Sequence, residues 1–260
     1  MGRLVRALLP QRYRLKLWLL RHSFARESLR LRRAQPSLLQ RQRARVVLNR
    51  RARRAMGRRS GVARLSAVMV INLRARPDRL AAFTEEMDKL GIDGVHRFDA
   101  ISDDNAALGC SLSHVECAKQ LLANGWESMM VCEDDVAFRL DRPRLDVLVD
   151  EFLDDAEADV ACLAYFVQRS RPHSTLYLRG TMVRTMACYV VKRRVVEDLV
   201  AAWLDGIEQM RRGGSANRYI CDKAWIPLQE VRVFLVPVVR AAVQRESYSE
   251  IQGRVVSYGY

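Results

Sequence analysis

Acidic residues are almost absent from the first quarter of the sequence. Residues 1–66 contain 20 Lys and Arg residues and a single acid, Glu27, whereas residues 67–260 contain 24 basic and 29 acidic residues. The net charge of +14 therefore comes from the N-terminal segment, and the remainder of the chain is mildly acidic. This distribution excludes a protein that is basic along its whole length and binds nucleic acid by overall charge.

The sequence also lacks closely spaced cysteines and long apolar runs. None of the six cysteines forms a C-x-x-C pair, which argues against a zinc ribbon or a thioredoxin-type site. Several cysteines lie in apolar stretches, so we expect reduced thiols in the core of a cytoplasmic protein. The apolar stretches near the start are short and interrupted by arginine. We therefore expect neither a secretory signal nor a membrane-spanning helix.

Residues 1–66 are interpreted as a basic extension, partly helical or disordered, that precedes a domain over residues 67–260. Residues 15–21 (LKLWLLR) have an amphipathic helical pattern. One interpretation is a helix on an anionic membrane surface, with Trp18 inserted and arginines on lipid phosphates. The other is a solvated arm, lengthened by an early start codon. Nucleic-acid binding by the arm is a third interpretation, which the small number of interleaved aromatic residues disfavours.

Beyond residue 66, short apolar runs alternate with helical patterns. Helices are predicted at residues 80–90, with Pro77 suited to the first helical position and Gly91 as the stop, and at 113–124 after a capping-box pattern Ser113-x-x-Glu116. Further helices are predicted at 143–155 and 193–210. Strands are predicted at residues 67–73, 95–101, 128–132, 159–166 and 231–239, with a hairpin over 175–192 that turns at Arg179-Gly180. This alternation predicts an α/β domain with a mostly parallel central sheet covered on both faces.

Three consecutive acids, Glu133, Asp134 and Asp135, follow the apolar run at 128–132. Open α/β sheets bind ligands at the carboxyl ends of their strands. If the strand continued, Glu133 and Asp135 would point to one side and Asp134 to the other. Neighbouring carboxylates repel unless a cation lies between them, and Mg²⁺ or Mn²⁺ prefers oxygen ligands. Three acids alone are more often a solvated surface turn, so the surrounding residues decide.

Six segments accompany this triplet in a characteristic order over residues 67–252. They are residues 70–79 (VINLRARPDR), 97–101 (RFDAI), 108–114 (LGCSLSH), 132–136 (CEDDV), 187–191 (ACYVV) and 247–251 (SYSEI). Together they resemble glycosyltransferase family 25, which includes bacterial lipopolysaccharide galactosyltransferases and collagen galactosyltransferase domains. Two positions depart from the family pattern, since Arg74 and Glu250 stand where aspartate is usual.

The resemblance implies a GT-A type nucleotide-sugar-binding fold and an inverting transfer from a UDP-sugar, most often UDP-galactose. It implies that Glu133, Asp134 and Asp135 hold Mn²⁺ or Mg²⁺, which neutralises the departing diphosphate. The implied acceptor is a cell-envelope glycan or a lipopolysaccharide-type molecule. Inversion needs a base on the face opposite the diphosphate, and Asp222 is the candidate. Its alternative role is a helix cap or a partner of Lys223.

The candidates for donor binding lie in the matched segments. Arginines at the end of the first strand would meet phosphates, Asp99 would accept from a ribose hydroxyl or the uracil edge, and His114 would lie near a helix N-terminus and stay neutral. For each of them a structural role in a turn or in the core is the alternative. The complete set is Asn72, Arg76, Arg79, Asp99, Ser113 and His114.

A second class of function is a protein that keeps the fold without the chemistry and acts through its basic arm at a membrane or a nucleic acid. The intact acidic triplet and the LGCSLSH segment favour the enzyme, because an inactive copy has no need of them. We expect a cytoplasmic location, with residues 1–66 in peripheral contact with the inner face of the cytoplasmic membrane.

Overall fold

The computed structural model describes residues 36–55, 60–249, 251 and 254–256, so the amphipathic pattern at residues 15–21 lies outside the described residues. A six-stranded sheet with the order β2-β1-β3-β6-β5-β7 forms its centre. Strands β1 and β3 are buried over almost their whole length, as continuous apolar runs require. The strands of this sheet are β1 (Ala67–Asn72), β2 (His96–Asp99), β3 (Ser128–Glu133), β5 (Val160–Pro172), β6 (Tyr177–Lys192) and β7 (Phe234–Pro237).

Five of the six strands run in the same direction, and β6 runs antiparallel to its neighbours β3, β5 and β7. The predicted α/β class with a mostly parallel central sheet is therefore confirmed. Two short antiparallel ribbons complete the described strands: β4 (Val136–Phe138) with β8 (Ala242–Gln244), and β9 (Ser247–Ser249) with β10 (Arg254–Val256).

Helices connect the strands and cover the sheet. The helix Ala106–Ala123 packs against Arg193–Arg211, and Leu38–Ala55 packs against Arg142–Asp154. The described helices are α1 (Leu38–Ala55), α2 (Pro77–Leu90), α3 (Ala106–Ala123), α4 (Arg142–Asp154), α5 (Arg193–Arg211) and two single turns, α6 (Ala216–Tyr219) and α7 (Cys221–Ala224). Among them, none has both the length and the apolar character needed to span a bilayer.

Two boundaries predicted from the sequence are wrong. α3 begins at Ala106 and not at Ser113, because the side chain of Asn105 caps it by accepting a hydrogen bond from the Ala107 amide at 3.1 Å. The predicted turn at Arg179-Gly180 lies inside the continuous strand β6, and the hairpin turns instead between β5 and β6. There the Ser174 hydroxyl accepts from the Leu176 amide at 3.1 Å.

The basic helix α1 is packed onto the domain. Ala44, Leu48 and Ala52 recur at intervals of four residues and are buried against it. The 3₁₀ turn Gly61–Arg64 follows and is bonded to α4, where the Val62 amide donates to the Asp146 carboxylate at 2.8 Å. Packing therefore continues between α1 and the part of the chain beyond residue 66.

Replacing Leu48 with alanine tests this packing. Leu48 is only 1% exposed, and removing a buried leucine costs about 2–5 kcal/mol of unfolding free energy because a cavity remains. Val46 on the same helix is 66% exposed, so Val46→Ala is the matched control and should change stability by less than about 0.5 kcal/mol. Chemical denaturation measures both. Equal effects of the two substitutions would contradict the packing of α1.

Candidate active site

The acidic triplet lies at the carboxyl end of β3, where the strand gives way to a turn. Glu133 is the last strand residue, and Asp134 and Asp135 form the turn before β4. Because the strand ends there, its side-chain alternation ends too, and all three carboxylates line one cavity. The expectation that Asp134 would point away from its neighbours was conditional on a continuing strand and does not hold.

A polar network fixes two of these carboxylates. The Asn72 side-chain amide donates to Asp134 Oδ2 at 2.7 Å, and the Arg79 guanidinium donates to Asp134 Oδ1 at 3.1 Å. Gln244, from β8, donates to Asp135 Oδ2 at 3.0 Å. Both oxygens of Asp134 are thus engaged by protein groups, so Asp134 is held in one orientation.

Burial makes negative charge costly at this turn. Burial raises the pKa of Asp134 above its usual range. Burial, followed by repulsion from Glu133, raises the pKa of Asp135 to about 7, although Gln244 and Arg79 oppose the shift. A divalent cation bound beside these oxygens would relieve that repulsion.

His114 and Ser113 sit in the interior of α3 and not at its start. This corrects the expectation that His114 lies near a helix N-terminus. Its Nε2 is 3.2 Å from Glu133 Oε1, and its Nδ1 is 3.2 Å from the Tyr189 hydroxyl. A carboxylate accepts hydrogen bonds, so we assign the ring proton to Nε2, which then donates to Glu133. Nδ1 is left to accept from the Tyr189 hydroxyl.

Ser113 links α3 to the loop after β2. Its hydroxyl donates to the Gly109 carbonyl at 2.8 Å and accepts from the Ile101 amide at 2.9 Å. That loop forms one wall of the cavity that the triplet lines. Ser113 therefore shapes the cavity wall.

The cavity has a volume of about 210 Å³ and unites most of the predicted site. Asn72 lies buried behind it, as a support of Asp134. Two further predicted donor-binding residues, Arg76 and Asp99, do not line it either. Arg76 is paired with Asp78 at 2.8 Å, and Asp99 is paired with Arg74 at 2.5 Å on the surface. The predicted residues that line it are Arg79, Ser113, His114, Glu133, Asp134 and Asp135.

Asp222 lines a second cavity, of about 800 Å³, which shares Cys110, Glu133 and Gln244 with the first. Its carboxylate accepts from the Thr185 amide at 3.3 Å and lies 3.3 Å from Lys223 Nζ. Thr185 has a φ of 77°, a strained value for a β-branched residue. Strain of this kind is retained where surrounding contacts impose it, often at functional sites.

Several residues of the site were not singled out from the sequence. Gln244 reaches Asp135 from more than 100 positions away, and Tyr189 reaches His114 from β6. Five cysteines are buried as expected, but Cys110 is half-buried between the two cavities, with its Sγ 3.7 Å from that of Cys221. The LGCSLSH and ACYVV segments contained Cys110 and Tyr189, but only the fold gives these residues partners.

Gly109 has a specific steric role in this site. A Cβ at this position would lie 2.5 Å from the Ile101 carbonyl oxygen, which is backbone and cannot swing away. Gly109→Ala should therefore destabilise the protein by about 1–3 kcal/mol and displace the cavity wall. An unobstructed helix would instead gain up to about 1 kcal/mol from the same change. Thermal denaturation distinguishes the two by the sign of the shift in Tm.

The donor set at the triplet fits a hard divalent cation. Glu133 and Asp135 both line the cavity with carboxylate oxygens, and burial with mutual repulsion makes their combined charge unfavourable without a counter-ion. Arg79 lies 3.9 Å from Asp135 Oδ2, so it offsets that charge only in part. These residues suit Mg²⁺ or Mn²⁺ better than a soft metal.

Comparisons with known proteins found similarity of structure only. No family model matches the sequence, and no curated protein matches it. A mannosyltransferase from Pyrobaculum calidifontis in complex with GDP-Man and Mn²⁺ has a TM-score of 0.40 at 10% identity, over 82% of this chain and 67% of that chain. A glycosyltransferase involved in glycosylation of the major capsid of PBCV-1 has a TM-score of 0.42 at 12% identity, over 68% and 92%.

A third structure is the mannose-1-phosphate geranyltransferase from Thermus thermophilus, with a TM-score of 0.38 at 12% identity, over 69% of this chain and 73% of that chain. All three are distant likenesses of fold. The functional argument therefore rests on the residues of the site.

Proposed function

We propose that this protein is a metal-dependent glycosyltransferase that uses a UDP-sugar, as its resemblance to family 25 implies. The observation that carries the proposal is the meeting of Glu133, Asp134 and Asp135 with Arg79 and His114 in one cavity. These residues come from three separate parts of the chain, and each belongs to a segment of the family pattern. An acidic surface turn would have no such surroundings.

The roles within the cavity follow from the contacts. Glu133 and Asp135 are proposed to bind Mn²⁺ or Mg²⁺, and the ion would neutralise the diphosphate as it leaves. Asp134 is held by Asn72 and Arg79, so its part is to orient Arg79 and add negative charge beside the ion. Arg79 is the proposed phosphate contact, because a guanidinium matches phosphate geometry.

His114 and Ser113 support the donor cavity without reacting. His114 fixes Glu133 by a hydrogen bond, and Ser113 ties α3 to the cavity wall. Arg76 and Asp99 are proposed to contribute from outside the cavity, since neither lines it. Both form ion pairs, and the Arg76 carbonyl accepts from the Asn72 side chain at 3.0 Å.

Inversion is proposed to use Asp222 as the base. The acceptor would occupy the second cavity, and its hydroxyl would lose a proton to Asp222 while attacking the anomeric carbon opposite the diphosphate. The two cavities meet at Cys110 and Glu133, which supports an attack from one cavity on a sugar held in the other.

The finer assignment follows the resemblance: galactose as the sugar and a cell-envelope glycan or lipopolysaccharide-type molecule as the acceptor. We also propose a cytoplasmic location with peripheral contact to the anionic inner face of the membrane. In support of this contact, α1 exposes Leu38, Leu39 and Val46 among its arginines.

The test is to incubate the purified protein with a panel of nucleotide sugars and Mn²⁺ and to measure the free nucleoside diphosphate. Release of UDP from one UDP-sugar, lost on addition of EDTA, is the expected result. Release of a nucleoside diphosphate other than UDP would overturn the donor assignment.

The second candidate is a binding protein that keeps the fold without turnover. Its supporting observation is the seven arginines of α1, a helix with no acidic residue. This candidate would be favoured over the enzyme if the protein bound a nucleotide sugar but released no UDP, even when extracts of a cell envelope were added as acceptors.

A further inference from the structure

An arginine-lined cleft lies between α1 and the domain, apart from both cavities described above. Its volume is about 630 Å³, and Tyr165 and Leu48 contribute to its walls. Among the described residues that line it, none is acidic. Its guanidinium groups are those of Arg41, Arg45, Arg139, Arg144 and Arg240.

One wall of the cleft is a face of α1. Arg41 and Arg45 are one helical turn apart, and Leu48 continues that face into the core. Like charges spaced four residues apart destabilise a helix. The positive charges of Arg41 and Arg45 on this face therefore lower the stability of α1.

The opposite wall belongs to the domain. Arg139 follows β4, and its amide donates to the Ala241 carbonyl at 2.7 Å, which places it beside Arg240. The Arg240 guanidinium lies 4.7 Å from the ring centre of Tyr165. These contacts fix the backbone of the wall and orient one of its charges towards an aromatic face.

At the rim of the cleft, the Arg144 side chain bonds to other protein groups. It is paired with Asp141 and donates to the Asn49 side chain at 2.7 Å. The Asp141 carboxylate offsets only part of the positive charge of five guanidinium groups. The cleft consequently gathers an excess of positive charge in a concave site, where an anion would be attracted from solution.

We propose that this cleft binds phosphate groups of a multiply charged ligand. Guanidinium groups pair with phosphate oxygens in a bidentate geometry, and the cleft offers several from two facing walls. The apolar side chains of Leu48, Leu140 and Val238, which also line the cleft, would accommodate the uncharged part of such a ligand. The phosphate can be carried by a soluble compound or by a lipid headgroup, since both present the same chemistry.

The position of the cleft relates it to the carboxylate triplet. β4 leads from Asp135 to Arg139, four residues and about 13 Å of strand. A bound phosphate would thus lie beyond the far end of the β4–β8 ribbon from the proposed metal site. The inference goes beyond the proposed function and does not depend on it.

The test uses the full chain in EDTA, without nucleotide sugar, and titrates inorganic pyrophosphate by calorimetry. Arg45→Gln with Arg139→Gln removes two cleft charges, whereas Arg43→Gln with Arg53→Gln removes two exposed charges of α1 outside the cleft. The cleft pair should weaken pyrophosphate binding about tenfold or more, because hydrogen bonds to charged groups are lost. The control pair should change it less than about twofold, since distant charges are screened.

Vesicles of phosphatidylcholine, with and without phosphatidylglycerol, identify the source of the phosphate. If the cleft pair also loses binding to the anionic vesicles relative to the control pair, the ligand is a lipid headgroup; if only pyrophosphate binding falls, it is a soluble phosphate. Equal pyrophosphate affinities of the two pairs, or the absence of saturable binding, would overturn the proposal. A single-stranded oligonucleotide that displaces pyrophosphate at far lower concentration would replace it with nucleic-acid binding.

Discussion

Asp135→Asn is expected to abolish metal-dependent sugar transfer while the protein stays folded. Asp135 is buried, and repulsion from Glu133 adds to burial in raising its pKa. A bound cation would therefore stabilise the charged form of this carboxylate. An amide keeps the shape and can still bond to Gln244 but offers the ion a weaker, neutral oxygen. We expect turnover to fall by at least about 100-fold, since even residues that only support metal ligands cost 10- to 100-fold.

Two measurements make this result decisive. Mn²⁺ binding, measured by calorimetry, should weaken in parallel with turnover. The free energy of unfolding in denaturant should be unchanged or slightly higher, because a buried charge is removed. Asp88→Asn, on the exposed face of α2, is the matched control and should leave both unchanged. Transfer at the wild-type rate by Asp135→Asn protein would refute the assignment of the metal site.

Asp222→Asn is expected to lower kcat about 100- to 10,000-fold with little change in the KM for the nucleotide sugar. General base catalysis contributes that range, and Asp222 lies in the second cavity, away from the proposed diphosphate contacts. An asparagine oxygen can still accept from the Thr185 amide, so the local backbone should be kept. Initial-rate kinetics with the donor and acceptor varied separately measures the split.

The comparison that isolates the proton-transfer role is Lys223→Met. This change removes the neighbour of Asp222 but keeps the carboxylate, so it should leave most of kcat. If Asp222→Asn raised the donor KM and spared kcat, Asp222 would be a binding residue. If both variants matched the wild type, the base would have to be sought elsewhere in the second cavity.

Local signals predicted much of the fold. α2 begins at Pro77 and is followed by Gly91, whose φ of 59° matches the left-handed conformation that glycine adopts without strain. The apolar runs at β1 and β3 predicted buried strands because no other short element is apolar on both faces. In these cases the physical cause lies within a few residues of its effect.

The wrong predictions arose where a local sequence pattern was overridden by another residue or by a tertiary contact. Ser113 and Glu116 form a capping-box pattern, but Asn105 starts the helix eight residues earlier and turns Ser113 inward. Gly180 suggested a turn, yet it lies in β6, where a Cβ would meet the Val183 side chain at 2.4 Å. Close packing explains why residue 180 is glycine, and no local sequence pattern reveals that packing.

By itself, the sequence determined the α/β class, the concentration of basic charge before residue 67 and the position of Glu133, Asp134 and Asp135 after a buried strand. Only the tertiary structure decided how these acids are held, which cavity they share with Arg79, and that α1 completes a cleft of arginines. The reason is physical. Strand and helix preferences act over a few neighbouring residues, whereas a site depends on side chains such as Gln244 that meet only when distant segments pack together.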